Sequence, residues 1–163
     1  MSAREGRVSA LVIIDDVICT GESLSNNVQK FVTVHKELLA ARSVPLLLIA
    51  LCSTTAGENY VRSVLSKLPL SDVDLRICEV LDPRHYAFDV KNGIWRDEDE
   101  RDRAHALCVD LGARIYRNNP LGFGGQALLV TLPLTTPNNS LPILHSRAKA
   151  PDMWQPLFPR LTN

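Results

Sequence analysis

The stretch LVIIDDVICTGESL, residues 11–24, decides the fold. It starts with a run of aliphatic residues, continues with the adjacent acids Asp15 and Asp16, and reaches Thr20 and Gly21 just before a helical pattern. A continuous apolar run with β-branched members is typical of a strand buried on both faces, as in a parallel sheet. We predict this strand over residues 9–14. The polar corner that follows it has no obvious packing purpose.

Strands and helices alternate after this corner. Apolar residues at three- and four-residue steps predict a helix over residues 23–41, with Ser23 or Ser25 as its cap. Its expected buried face comprises Leu24, Val28, Phe31, His35 and Leu38.

The rest of the chain continues the same pattern. Strands are predicted over residues 45–52 and 72–81, and a helix over residues 57–67 with Tyr60, Val61, Val64 and Leu65 on one face. A third helix is expected over residues 96–116, with Gly112 as its stop. A late strand is expected over residues 126–134 near a sheet edge, because Pro133 interrupts it. The predicted fold is therefore an α/β fold with an open parallel sheet and flanking helices.

The length of 163 residues suits one domain. Residues 1–117 are predicted to form the α/β core. Residues 118–163 are rich in Pro, Gly and Asn, but they also hold Phe123, Trp154 and Phe158. We therefore expect them to form a cap that completes the same domain.

Charge and cysteine usage narrow the class of protein. Lys+Arg and Asp+Glu both number 18, so the formal net charge is zero. Only a local basic patch would favour binding to nucleic acid or to an anionic membrane. The longest aliphatic run, residues 44–52, is too short to span a bilayer, and no secretory pattern precedes it. The four cysteines contain no C-x-x-C pair, so a zinc site is not expected. Reduced, structural thiols predict a cytoplasmic protein.

The corner after the first strand has the chemistry of a ligand site. In open α/β sheets, ligands bind at the carboxyl ends of strands, where Asp15 and Asp16 are expected. The following helix N-terminus favours a phosphate, Thr20 offers a hydroxyl, and Gly21 lets the backbone approach closely. The carboxylates would repel that phosphate, so they should face sugar hydroxyls or a Mg²⁺-bound group. The alternative is a plain strand–turn–helix corner with two solvated acids.

The segment VIIDDVICTGESL, residues 12–24, resembles the signature of type I phosphoribosyltransferases that binds 5-phosphoribosyl-1-pyrophosphate (PRPP). The resemblance implies that Asp15 and Asp16 are catalytic, hold the ribose hydroxyls and meet Mg²⁺ indirectly, through the ligand. It also implies that the 5-phosphate is cradled by Ile18, Cys19, Thr20, Gly21, Glu22 and Ser23. Cys19 replaces the usual Thr or Ser, which removes one hydroxyl and keeps the backbone donors.

Two other places could contribute to such a site. Ser53 and Thr54, at the end of the next strand, could contact the group that receives or leaves the sugar, or could cap the following helix. The segments GFGGQALLV (122–130), TPNNSLPILHS (136–146) and WQPLFPR (154–160) are similar to phosphoribosyltransferase-like proteins of bacterial conflict and anti-phage loci. That resemblance implies that Asn138 and Asn139, with His145, line the site. The Asn pair could equally form a turn, and His145 could be a surface or cap histidine.

The resemblance also implies what the chain lacks. Family members carry strands, a pyrophosphate loop and a mobile loop before the signature, whereas about ten residues precede it here. The N-terminal part is thus short or missing. We expect a fragment, or a protein partner or homo-oligomer that supplies the missing elements. The predicted function is binding of PRPP–Mg and transfer or release of the phosphoribosyl group, in nucleotide metabolism or as a subunit or effector of antiviral defence. The alternative is a non-catalytic module that senses PRPP or a nucleotide, or binds a partner.

Overall fold

The computed structural model describes residues 10–42, 44–91, 94–133, 136–148 and 154–159. These residues belong to two compact units that divide between Leu81 and Asp82. The first unit holds a sheet with two helices, and the second holds one long helix with short turns and bridges. The assignment of residues 1–117 to a core and 118–163 to a cap stays a prediction.

The first unit is an α/β layer in which strands and helices alternate. Its elements are β1 (Leu11–Ile18), α1 (Glu22–Arg42), β2 (Leu46–Thr54), α2 (Thr55–Leu65) and β3 (Val73–Leu81). The strand order is β1-β2-β3, and both neighbouring pairs are parallel. The predicted α/β class, with a parallel sheet and flanking helices, is confirmed.

The core of this unit lies between one face of the sheet and the two helices. On the central strand, Leu46, Leu48 and Ala50 are almost completely buried. Burying a side chain of leucine size stabilises a fold by roughly 1.5–3 kcal/mol, so this central row is a main source of stability. The helices contribute Leu24, Val28, Val32, Leu39, Val61 and Leu65 to the same cluster.

The predicted buried face of α1 is only partly right. His35 and Leu38 are exposed, whereas Val32 and Leu39 are buried. The buried side chains follow steps of four residues from Leu24 through Val28 to Val32, a row that lies along one side of a helix. In α2, Tyr60 is likewise exposed, while Val61, Val64 and Leu65 are buried.

The prediction that the first strand is buried on both faces is wrong. Val12 and Ile14 are 47% and 72% exposed, and half-buried and exposed residues alternate along β1 as far as Asp16. Strand–helix–strand crossovers are almost always right-handed, so two successive steps in one direction place both helices on the same face of the sheet. In keeping with this, α1 and α2 contact each other. The strand also extends further than the predicted 9–14, of which residue 9 lies outside the described part.

The second unit is built around α3 (Glu98–Ile115), with the short helix α4 (Pro142–His145) and 3₁₀ turns at Pro83–His85 and Phe123–Gly125. Asp97 caps α3, because its carboxylate accepts a 2.7 Å hydrogen bond from the Glu100 N–H. The buried cluster of this unit contains Ala87, Cys108, Ala127 and Leu141.

The predicted strand over residues 126–134 is wrong for the part that the structure describes, which ends at residue 133. Only Leu128 forms strand-like bridges, antiparallel to Tyr86 and parallel to Ser140. Ala127 has a φ of +47°, a left-handed conformation that interrupts an extended backbone. Pro133 offers no N–H to a neighbouring strand. The apolar residues here fill a core without belonging to a continuous strand.

Among the described helices, none is both long enough and apolar enough to cross a bilayer.

Gly112 does not stop α3, which continues to Ile115. A Cβ at Gly112 would lie 2.0 Å from the carbonyl oxygen of Pro120. Because Gly112 has no side chain, the backbone of α3 packs closely against the backbone at Pro120.

We expect Gly112→Ala to destabilise the protein. Alanine normally stabilises a helix interior by about 1 kcal/mol relative to glycine. Here its methyl group would overlap a backbone atom, and overpacking typically costs about 1–3 kcal/mol. Thermal unfolding should show a lower Tm, with Ser63→Ala on the exposed side of α2 as the control that leaves it unchanged or higher. A Gly112→Ala variant as stable as the wild type would contradict the close packing.

Candidate functional site

The corner after β1 is tighter than predicted. The strand continues through Asp15 and Asp16 to Ile18, and α1 starts at Glu22. The connecting loop therefore consists of residues 19–21 alone. Of the six residues predicted to form a loop, Ile18 ends the strand, and Glu22 and Ser23 begin the helix.

The two acids point to opposite faces of the sheet, because successive strand residues alternate. Asp15 lies half-buried on the face covered by the helices, and Asp16 is exposed on the other. Each carboxylate accepts a hydrogen bond from the next backbone N–H: Asp15 Oδ1 from Asp16 at 3.1 Å, and Asp16 Oδ1 from Val17 at 2.7 Å. The acids are thus neighbours in sequence with different surroundings.

Burial raises the pKa of the Asp15 carboxyl above its ordinary value. The hydrogen bond from the Asp16 N–H opposes this shift, and the nearby negative charge of Asp16 adds to it. A partly desolvated carboxylate next to a second acid is an unfavourable electrostatic arrangement. Such an arrangement is common at functional sites.

A groove with a volume of about 410 Å³ runs between β1 and the first turns of α1. Its polar lining comes from Asp15, Ser23 and Asn27, and its apolar lining includes Ile13 and Phe31. Sequence analysis did not assign Asn27 or Phe31 to a site. The available signal was that Ser23, Asn27 and Phe31 follow one another at four-residue steps, since such residues share one side of a helix.

Two glycines let the loop and α2 approach closely. Gly21 has a φ of +82°, and a Cβ there would lie 2.7 Å from the Gly57 carbonyl oxygen. A Cβ at Gly57 would lie 2.4 Å from the Cys19 carbonyl oxygen. Gly57 was missed by sequence analysis, although a glycine in the first turn of a helix was a possible signal of close packing.

Ser53 and Thr54 hold the loop from inside the protein. Both are 0% exposed. Ser53 Oγ lies 3.1 Å from the carbonyl oxygen of Ile18, and Thr54 Oγ1 donates to that of Cys19 at 2.5 Å. Thr54 Oγ1 also accepts from the Gly57 N–H at 2.9 Å, as the cap of α2. The capping interpretation of Thr54 is confirmed. Backbone groups enclose both hydroxyls in this structure, and the substrate contact predicted for Ser53 and Thr54 stays a prediction.

The predicted caps of α1 are also wrong. Helix α1 starts at Glu22, so Ser23 and Ser25 both lie inside its first turn. Ser25 is 1% exposed, and its hydroxyl has no hydrogen-bond partner among the described residues. The Glu22 N–H instead points to Thr20 Oγ1, at 3.5 Å.

The residues predicted to line the site from the C-terminal part all belong to the second unit. Asn138 and Asn139 lie in a turn closed by a hydrogen bond from the Ser140 N–H to the Pro137 carbonyl. Asn139 Nδ2 donates to the Phe123 carbonyl at 3.0 Å. His145 is 2% exposed, so it is a buried histidine and not a surface one. Their role in binding stays a prediction.

All four cysteines are free thiols. Cys19, in the loop, has its pKa raised to about 12, mainly by burial and further by the neighbouring Cys52, Asp16 and Asp15. A thiol with such a pKa is a poor nucleophile at neutral pH. In the described part of the chain, no three His, Cys, Asp or Glu side chains are grouped to bind a metal directly.

Comparison with known proteins places the chain in a family. The sequence model of the phosphoribosyltransferase-like family PRTase-CE matches residues 2–160, and the chain belongs to that family. No curated protein and no solved structure matches the sequence significantly.

We expect only one thiol to react quickly in the folded protein. Cys78 is exposed, whereas Cys19, Cys52 and Cys108 are buried and have raised pKa values. A thiol-titrating disulfide reagent should therefore show one fast equivalent in native protein and four after denaturation. Cys78→Ser should remove the fast equivalent. A fast phase that persists in this variant would show that a buried thiol is accessible.

We expect Asp15→Asn to raise the Tm at neutral pH. The folded pKa of Asp15 is raised, so the ionised carboxyl destabilises the native state above that pKa. The amide oxygen can still accept the Asp16 N–H. Thermal scans should show a gain of about 1–3 °C at pH 7. The gain should shrink as the pH falls through the raised pKa, where wild-type Asp15 is protonated. Asp16→Asn, on the exposed face, should change the Tm less. A lower Tm for Asp15→Asn than for the wild type would contradict the proposal that burial of the ionised Asp15 carboxyl costs stability.

Proposed function

We propose that the chain binds PRPP with Mg²⁺ at the corner between β1 and α1 and transfers or releases its phosphoribosyl group. One observation carries this proposal: a half-buried carboxylate and the first turn of a long helix line the same groove. The carboxylate suits sugar hydroxyls, and the helix start suits a phosphate. Membership in a phosphoribosyltransferase-like family agrees with this ligand.

The 5-phosphate would lie at residues 19–21 and the first turn of α1. The first N–H groups of a helix have no partners within it, and the helix dipole favours an anion there. The close approach of Gly21 to the Gly57 carbonyl fixes the position of this loop beside the first turn of α1. The groove volume of about 410 Å³ is within the range of small-molecule sites.

The ribose would lie against Asp15, whose carboxylate accepts hydrogen bonds from its hydroxyls. In the reaction, the bond from C1 of the ribose to the pyrophosphate oxygen breaks, and its electron pair leaves with pyrophosphate. A new bond forms between C1 and an acceptor atom, or a water oxygen if the group is released. Positive charge develops on the sugar ring meanwhile. The negative charges of Asp15 and Asp16 stabilise it through space.

The donor set fits Mg²⁺ bound through the ligand. Mg²⁺ prefers oxygen ligands, keeps several waters and is commonly held by one or two carboxylates with substrate phosphates. Asp15 and Asp16 supply the carboxylates nearest to the site. When bound, the ion would neutralise charge on the leaving pyrophosphate.

A second function, sensing without turnover, is favoured by the openness of the corner. Asp15 is only half-buried, and Ile14, which lines the same groove, is 72% exposed. Transfer to an acceptor other than water requires that water be excluded. We therefore propose that a protein partner or a second copy covers this side when the chain acts as a transferase. Without such a cover, the chain would act as a PRPP or nucleotide sensor.

The biological setting is also a proposal. The C-terminal segments around residues 122–130 and 136–146 support a role as a subunit or effector of bacterial antiviral defence, through their resemblance to proteins of such loci. Four free thiols, three of them buried, agree with a reducing cytoplasm.

We expect calorimetric titration with PRPP and Mg²⁺ to show binding, with ribose 5-phosphate weaker because it lacks the pyrophosphate. Hydrogen bonds to a charged group contribute roughly 1.5–3 kcal/mol, so Asp15→Asn should weaken binding by about tenfold or more. Asp16→Asn should weaken it less, since Asp16 lies on the other face. Equal binding by wild type and Asp15→Asn would contradict the assigned site.

The loop itself can be tested with two matched glycine variants. Gly21→Ala and Gly125→Ala both place a side chain at a left-handed φ, but only the methyl group at Gly21 would meet other atoms. Gly21→Ala should lose PRPP binding, whereas Gly125→Ala should keep it. Release of pyrophosphate, measured in the same samples, separates an enzyme from a sensor.

A further inference from the structure

The end of β2 holds the loop in a fixed orientation. Strand β1 ends at Ile18, which pairs in register with Ser53, and β2 continues for one more residue, to Thr54. The Thr54 hydroxyl is completely buried between two backbone groups. It donates to the Cys19 carbonyl at 2.5 Å and accepts from the Gly57 N–H at 2.9 Å.

This bonding determines where the loop's N–H groups point. No cis peptide bond is found in the described chain, and in a planar trans peptide the C=O and the following N–H point in opposite directions. Because the Cys19 carbonyl is drawn inward to Thr54, the Thr20 N–H is turned outward. Ser53 Oγ lies 3.1 Å from the Ile18 carbonyl one peptide earlier and 2.9 Å from the Thr54 carbonyl, so its single proton is divided between two acceptors. The loop therefore presents a donor on its outer side.

We propose that Thr54 is a positioning residue of the phosphate-binding loop. It contacts no ligand itself. Its hydroxyl keeps the Cys19–Thr20 peptide oriented with the N–H toward the phosphate, and it ties that peptide to the first turn of α2. The identity of the ligand rests on the proposed function, whereas the orientation of the loop rests only on the contacts described here.

Threonine meets a requirement that similar residues do not. Valine has nearly the same shape but would leave the Cys19 carbonyl and the Gly57 N–H without this partner in a buried place. Serine keeps the hydroxyl and loses only a methyl group. Thr54→Val and Thr54→Ser therefore separate the hydroxyl from the volume of the side chain.

The experiment measures PRPP–Mg affinity and the amide signals of residues 19–22 in the free protein, by NMR. A matched control for lost stability is Ser140→Ala, which removes another buried hydroxyl bonded to a carbonyl, that of Val130 at 2.6 Å. Thr54→Val should weaken PRPP binding about tenfold and shift the Thr20 amide signal. Thr54→Ser should restore both within about twofold of the wild type. Ser140→Ala should change neither the PRPP–Mg affinity nor the Thr20 amide signal, even if it lowers the Tm as much as Thr54→Val does.

The two readouts separate failure of this inference from failure of the proposed function. If Thr54→Val leaves the Thr20 amide signal unchanged, the positioning role is overturned, whatever the wild type binds. If that signal shifts, and Thr54→Ser restores it, while folded wild type binds no PRPP, the positioning role stands and the proposed ligand is wrong. If Ser140→Ala reproduces the effects of Thr54→Val on both readouts, general destabilisation explains them and the inference falls.

Discussion

The close contact between the first turn of α2 and the loop after β1 is the constraint on which the site depends. Gly57 has no side chain, so its backbone lies against the carbonyl of Cys19, and Gly21 lies in turn against the carbonyl of Gly57. A methyl group at either position would meet backbone, which cannot rotate aside.

The same contact explains why a polar corner can exist at the edge of an apolar core. A carbonyl that turns inward after the end of β1 needs a donor, and the buried Thr54 hydroxyl at the end of β2 provides one to Cys19. With these groups satisfied inside, the first turn of α1 can leave its N–H groups for an anion. Asp15 is held at the rim of the core, where partial burial raises its pKa. The corner between β1 and α1 thus combines a carboxylate whose burial costs stability with helix N–H groups that favour an anion.

Local features of the sequence were enough to predict much of this unit. The alternation of apolar strands with amphipathic helices, and the acids followed by Thr20 and Gly21, are properties of short segments. Features that depend on contacts between distant parts of the sequence were harder to predict. The enclosure of Ser53 and Thr54 depends on a loop 35 residues earlier in the chain. The exposure of Val12 and Ile14 depends on both helices packing on one face. The isolated bridges of Leu128 depend on two partners far apart in sequence.

The most direct test of the central claim is the effect of PRPP–Mg on the backbone amide signals of the ¹⁵N-labelled wild-type chain. The account predicts the largest shifts at residues 19–24, where the loop meets α1, with smaller shifts at Asp15 and little change along β3. Saturable shifts in that pattern would localise the ligand to the corner between β1 and α1. An absence of shifts at residues 19–24, or shifts confined to other parts of the chain, would contradict it.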